Sequence, residues 1–116
     1  MYTCSVAKND YLVKDCLFVK QGKIFIKVKL AEITFLESAR LYVTVYTLKD
    51  KYLVRSTLQN YLELLASPNF LRVHRSYAIN TAYISAIHAG GILVNGREIP
   101  MSKANHAALL ASLRLG

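Results

Sequence analysis

Tryptophan is absent from the 116 residues, proline and cysteine occur twice each, and glycine five times. With so little proline and glycine there is no linker-like or low-complexity tract, and no internal repeat divides a chain of one-domain length. Cys4 and Cys16 form no C-x-x-C pair, and the scattered His74, His88 and His106 complete no zinc-ligand spacing. The cysteines read as free thiols, and no metal is expected. No run of about 18 apolar residues exists, which excludes a spanning helix. Met1–Lys8 lacks the apolar stretch and small-residue cleavage site of a secretory signal, so a cytoplasmic location is expected. Acidic side chains are scarce: seven Asp and Glu stand against fifteen Lys and Arg, a net charge of +8.

That imbalance favours a polyanionic partner, nucleic acid before an anionic membrane surface. The apolar fraction of 53% excludes a disordered tail. A chain of this length buries roughly 65% of its unfolded surface, enough for a core without staples. Catalysis finds little support. Asp10, Asp15, Glu32, Glu37, Asp50, Glu63 and Glu98 are dispersed, and neither G-x-G-x-x-G nor G-x-x-x-x-G-K occurs. No enzyme activity and no cofactor are expected.

The first fifteen residues are weakly patterned and read as a linker or N-terminal remnant, with the domain spanning 16–116. Gln21-Gly22 turns the chain. In Lys23–Leu30, Ile24, Ile26, Val28 and Leu30 alternate with Phe25, Lys27 and Lys29, the pattern of a half-buried strand. Ile33–Glu37 and the β-branched, aromatic Tyr42–Leu48 follow as strands, and Tyr52–Arg55 returns from a turn at Lys49-Asp50-Lys51. Ser56 and Gln59 read as a capping box, opening a helix whose Leu58, Tyr61, Leu62 and Leu65 form one stripe. Phe70–Asn80 fits no clean period. Ile84–His88 is a strand, and Asn95-Gly96 joins Ile92–Val94 to Arg97–Ile99 as a tight type I′ hairpin. Ser102 caps a final helix from Lys103 to about Leu113. The fold class is mainly β, antiparallel, with two short helices.

Three segments carry candidate chemistry. Arg72-Val73-His74-Arg75 concentrates nitrogen donors in an irregular stretch before Ser76 and Tyr77, whose hydroxyls suit phosphate oxygens. The Arg75 fork matches the O6/N7 edge of guanine or a phosphate, while Arg72 sits in a strand and reads as simply solvated. Lys103 lies in the first turn of the final helix, where it opposes the helix dipole unless an anion sits beside it. A break at Ser38-Ala39-Arg40 puts Arg40 at a loop tip; Tyr42 serves either the core or a contact, with the core the plainer reading.

Together these pieces resemble the LytTR domain, a DNA-binding domain found mainly as the output half of bacterial response regulators. The similarity rests on Ile33–Ser38 with Tyr42-Val43, the Ser56-Thr57-Leu58 helix start, the F-x-R-x-H-R-S-Y-x-x-N run from Phe70 to Asn80, and Ile99–Lys103. It covers about Phe18 to Leu113. The resemblance implies elongated antiparallel sheets whose loops, rather than a recognition helix, enter successive major grooves of double-stranded DNA. It also implies binding in pairs to direct repeats, transcriptional control, and a receiver domain or sensor partner where the chain belongs to a longer protein. The base-contacting positions it implies are the Ala39–Tyr42 loop, His74 or Arg75, and Lys103; the candidate DNA-binding residues are Arg40, Tyr42, His74, Arg75, Ser76, Tyr77, Asn80, Ser102 and Lys103. Two positions differ from the usual family pattern. Leu41 replaces the frequent Asn, which shifts weight to Arg40, and Lys103 replaces the frequent Arg, which loses the bidentate fork. The alternative from a different class is a non-enzymatic protein-interaction or anionic-surface-binding module. An RNA-binding β domain would want aromatics placed to stack bases, and most of the eight tyrosines have apolar strand neighbours instead.

Overall fold

Three antiparallel sheets lie in layers with two helices between and beside them. The computed structural model describes residues 3–4 and 11–113. Its strands are β1 (Thr3–Cys4), β2 (Tyr11–Val13), β3 (Cys16–Gln21), β4 (Ile24–Lys29), β5 (Ile33–Ala39), β6 (Tyr42–Thr47) and β7 (Lys51–Arg55), then helix α1 (Leu58–Leu65). After it come β8 (Phe70–His74), β9 (Tyr77–Asn80), β10 (Ile84–His88), β11 (Gly91–Val94), β12 (Arg97–Pro100) and helix α2 (Lys103–Leu113). The sheet orders are β1-β2-β3-β4, β7-β6-β5-β9-β8 and β10-β11-β12. Extents of 43 × 30 × 24 Å make the molecule elongated.

The five-stranded sheet is central, and its inner strands β5 and β9 are buried on both faces. On one face Leu36, Val43, Val45, Val54 and Ala78 pack with Leu17, Val19 and Val28 of the first sheet and with Leu58, Tyr61, Leu64 and Leu65 of α1. On the other, Phe35, Val73 and Ile79 pack with Ile92, Val94 and Ile99 of the third sheet and with Met101 and Leu109. A strand covered on both sides does not alternate in hydropathy. Ile33 to Leu36 are therefore buried in succession, as are Ala78, Ile79 and Asn80.

The mainly β, antiparallel architecture with two short helices matches the sequence reading, and local details differ. Phe70–Asn80, which has no clean period, is the β8–β9 hairpin, and a register shift between Arg72 and His74 breaks its alternation. The cap of α1 is Thr57, not Ser56: its side chain accepts from the Asn60 amide at 3.0 Å. The buried stripe of α1 uses Leu64, while Leu62 is only half-buried, because the sheets cover the arc from Leu64 through Tyr61 and Leu65 to Leu58 and leave Leu62 at its edge. Ile24 is 60% exposed, since it sits at the tip of the β3–β4 hairpin beyond the core. Tyr42 is 42% exposed and so is not a core residue. The Asn95-Gly96 turn has φ of +49° and +82°, both left-handed as a type I′ turn requires. Of the expected N-terminal linker, β1 and β2 pair into the first sheet, and residues 1–2 and 5–10 lie outside the described residues.

Candidate nucleic-acid interface

The central position of β5 gathers the candidate segments. It pairs with β6 on one side and β9 on the other, with Ala39 opposite Tyr42 and Glu37 opposite Tyr77. The β5–β6 turn at Arg40-Leu41 and the β8–β9 turn at Arg75-Ser76 therefore project from the same end of the sheet. The Ser38 amide donates to the Ser76 carbonyl at 2.7 Å and ties the two turns together. The Ser102 amide donates to the Val73 carbonyl at 3.3 Å and attaches the start of α2 to the strand that leads into His74. The Ser56 amide donates to the Leu41 carbonyl at 3.0 Å, and Arg55 lies opposite Tyr42, so the end of β7 joins the group. Arg40, Arg55, Arg72, Arg75 and Lys103, all exposed, occupy these connected segments.

Each candidate has a distinct setting. Arg40 adopts a φ of +56°, a left-handed conformation that costs a non-glycine residue about 1–2 kcal/mol and sets it at the turn tip. Arg75 is exposed in its turn, next to half-buried Ser76. His74 accepts the Ser76 amide on Nδ1 at 3.1 Å, and its ring meets Tyr77 edge-on at 5.8 Å. Ser102 caps α2, its Oγ accepting from the Asn105 amide at 3.2 Å, and leaves Lys103 exposed at the first helical position. Tyr77 is turned inward and donates to Glu37 Oε2 at 2.8 Å; Tyr46 donates to Glu37 Oε1 at 3.0 Å. Hydrogen bonding to Glu37, then burial, raises the Tyr77 phenol above its ordinary pKa, and burial, then Glu37, raises that of Tyr46. The one carboxylate on the inner strands of this end is thus occupied by two phenols.

Asn80 does not join the exposed set. It is 3% exposed, its Nδ2 donates to the Ile33 carbonyl at 2.9 Å, and its Oδ1 accepts the Ala82 amide at 3.0 Å. A buried amide serving two backbone groups braces the β9–β5 junction and has no reach to a ligand. Arg72 is likewise not simply solvated: its guanidinium donates to the carbonyls of Arg75 and His74 and to Gln59. Arg55 escaped the sequence reading, although the hairpin register counted back from the Lys49–Lys51 turn already places it opposite Tyr42. Among the described residues no group of three or more His, Cys, Asp or Glu could hold a metal ion, and no helix is long and apolar enough to cross a membrane.

Comparison with known proteins bears on the family and the fold. Residues 23–114 match the model of the LytTr DNA-binding domain. Over 102 residues the chain is 28% identical to the sensory transduction protein LytT of Bacillus subtilis, covering 83% of this chain and 42% of LytT. The chain therefore spans less than half of that relative. A solved LytTr DNA-binding domain from Bacillus cereus superposes with a TM-score of 0.75 at 23% identity, over 89% of this chain and all of the other. With the family model covering most of its length, the chain belongs to the LytTR family of DNA-binding domains.

Proposed function

We propose that the chain binds double-stranded DNA sequence-specifically, with the Arg40-Leu41 and Arg75-Ser76 turns and the start of α2 entering the major groove. The observation that carries this reading is the pair of backbone hydrogen bonds, Ser38 to Ser76 and Ser102 to Val73, that unite three cation-bearing segments at one end. A fixed array of donors on a rigid sheet suits base readout, which needs side chains held in register with the base edges. Arg75 offers a planar fork to guanine O6 and N7, and His74 offers one ring nitrogen. Lys103 stands where free helix amides already favour a phosphate. Arg40 and Arg55 neutralise backbone charge, and Tyr42, Ser76 and Ser102 add hydroxyls for phosphate oxygens. Tyr77 and Asn80 support the turns from within.

In the cell the chain is proposed to regulate transcription in the cytoplasm, in pairs on direct repeats, as a separate regulator or as the output domain of a response regulator. A receiver domain or sensor partner supplies the input in a longer protein, and neither cofactor nor metal takes part. The test is selection of a site from random duplexes, then titration of selected duplex, scrambled duplex and single strand at several salt concentrations. Neutralising about five phosphates gives a slope of log K against log salt of roughly −4 to −5. The selected duplex should win by at least about 10³. A flat salt response, or equal affinity for selected and scrambled duplex, would instead indicate a protein-interaction or generic anionic-surface module.

A further inference from the structure

The β8–β9 turn presents two backbone carbonyls, those of His74 and Arg75, to the Arg72 side chain. Arg72 lies two residues before His74, at the register shift, with its side chain exposed. Its Nη2 donates to the Arg75 carbonyl at 2.6 Å and its Nε leans toward the His74 carbonyl at 3.4 Å. Nη1 reaches Gln59 Oε1 on α1 at 3.5 Å, and Gln59 Nε2 in turn donates to Glu63 Oε2 at 3.0 Å. The His74 ring accepts the Ser76 amide. The carbonyls of His74 and Arg75 and the amide of Ser76 are thus each engaged by a side chain of the same hairpin.

We propose that Arg72 is a positioning residue that clamps the His74-Arg75-Ser76 turn and braces it on α1, fixing the direction in which Arg75 and His74 meet DNA. The inference rests on the reading that this turn touches bases. A guanidinium suits the role because its donors lie in one rigid plane and can engage two carbonyls and an amide together; a lysine ammonium has no such plane. The clamp also explains why an exposed cation at the DNA-facing end is turned back onto the protein's own carbonyls. A loop ordered before binding forfeits less conformational freedom on the complex, so removing the clamp should lower discrimination more than general attraction.

The test compares wild type, Arg72→Lys and Arg72→Ala in duplex titrations and in amide exchange of the free protein. The clamp predicts that both variants lose about tenfold in preference for selected over scrambled duplex. It predicts an unchanged salt slope, an unchanged melting temperature, and faster exchange of the Ser38 and Ser76 amides. A phosphate contact by Arg72 would give a near-normal Arg72→Lys and a slope reduced by about one in Arg72→Ala, overturning the proposal. Lost preference with unaltered amide exchange would make Arg72 a direct base reader and would also overturn it. Failure of the underlying reading is distinguishable. If Arg75→Ala keeps full preference for the selected duplex, the turn does not read bases, and the exchange rates of Ser38 and Ser76 alone decide the clamp.

Discussion

The Ser76 amide donates to His74 Nδ1 at 3.1 Å, so that ring nitrogen must present its lone pair. In the neutral imidazole the proton then resides on Nε2, which becomes a donor aimed away from the turn. Such a donor fits the acceptor atoms of guanine N7 and O6 or adenine N7. Nitrogen-15 spectra of the free protein should show His74 as the Nε2–H tautomer. Finding Nδ1 protonated in the neutral ring would break the link between His74 and the turn.

Arg75 and Lys103 should fail differently. Arg75 is exposed, and the structure directs its own carbonyl, not its side chain, into the fold. Arg75→Ala should cost ~1–3 kcal/mol on the selected duplex and much less on scrambled duplex. Lys103→Ala should weaken both more evenly and reduce the salt slope by about one. Neither should shift the melting temperature. Equal losses on both duplexes for Arg75→Ala would make it a phosphate anchor.

The Glu37 carboxylate joins Tyr46 and Tyr77, and both phenols are raised above the ordinary value of 10.0. A group that holds its proton more tightly when folded contributes stability fully below its unfolded pKa and loses it as pH climbs through the folded value. The network should therefore stabilise the sheet unchanged through neutral pH and weaken above about pH 10. Urea midpoints of wild type and Tyr77→Phe should converge as pH rises from about 8 to about 11. A gap that stays constant across that range would show that the phenols do not titrate with folding.

Leu65 is 2% exposed among the residues joining α1 to the central sheet, whereas Leu62 is half-buried. Leu65→Ala should cost ~2–5 kcal/mol, with Leu62→Ala nearer the low end of that range or below it. Urea denaturation measures both. The reverse order would contradict the burial of Leu65 against the central sheet.

Much of this molecule is legible where one face of an element meets water. The Tyr42–Thr47 strand, the Asn95-Gly96 hairpin and the Ser102 cap follow from β-branching, turn chemistry and helix-start geometry, and each is where the residues indicate. The β8–β9 hairpin is illegible because β9 is buried on both faces and a register shift at Val73 interrupts β8, so no period survives. Ser56 and Thr57 are equally good caps in isolation, and only the packing of α1 on the sheets decides which arc is covered, leaving Leu62 half-buried and Leu64 in the core. Arg40, Arg75 and Lys103 stand out as charges at element ends. The brace from Arg72 to Gln59 joins residues 13 apart in sequence and exists only once α1 packs beside β8.

An amide shift map of the protein titrated with its selected duplex tests the three-segment interface directly. The largest perturbations are expected at 39–42, 74–77 and 102–104, the segments joined by the Ser38–Ser76 and Ser102–Val73 hydrogen bonds. Arg55 and Ser56 should follow, and the lysine-rich β3–β4 hairpin should move little. Perturbations centred on Lys20–Lys29, with the three segments silent, would contradict it.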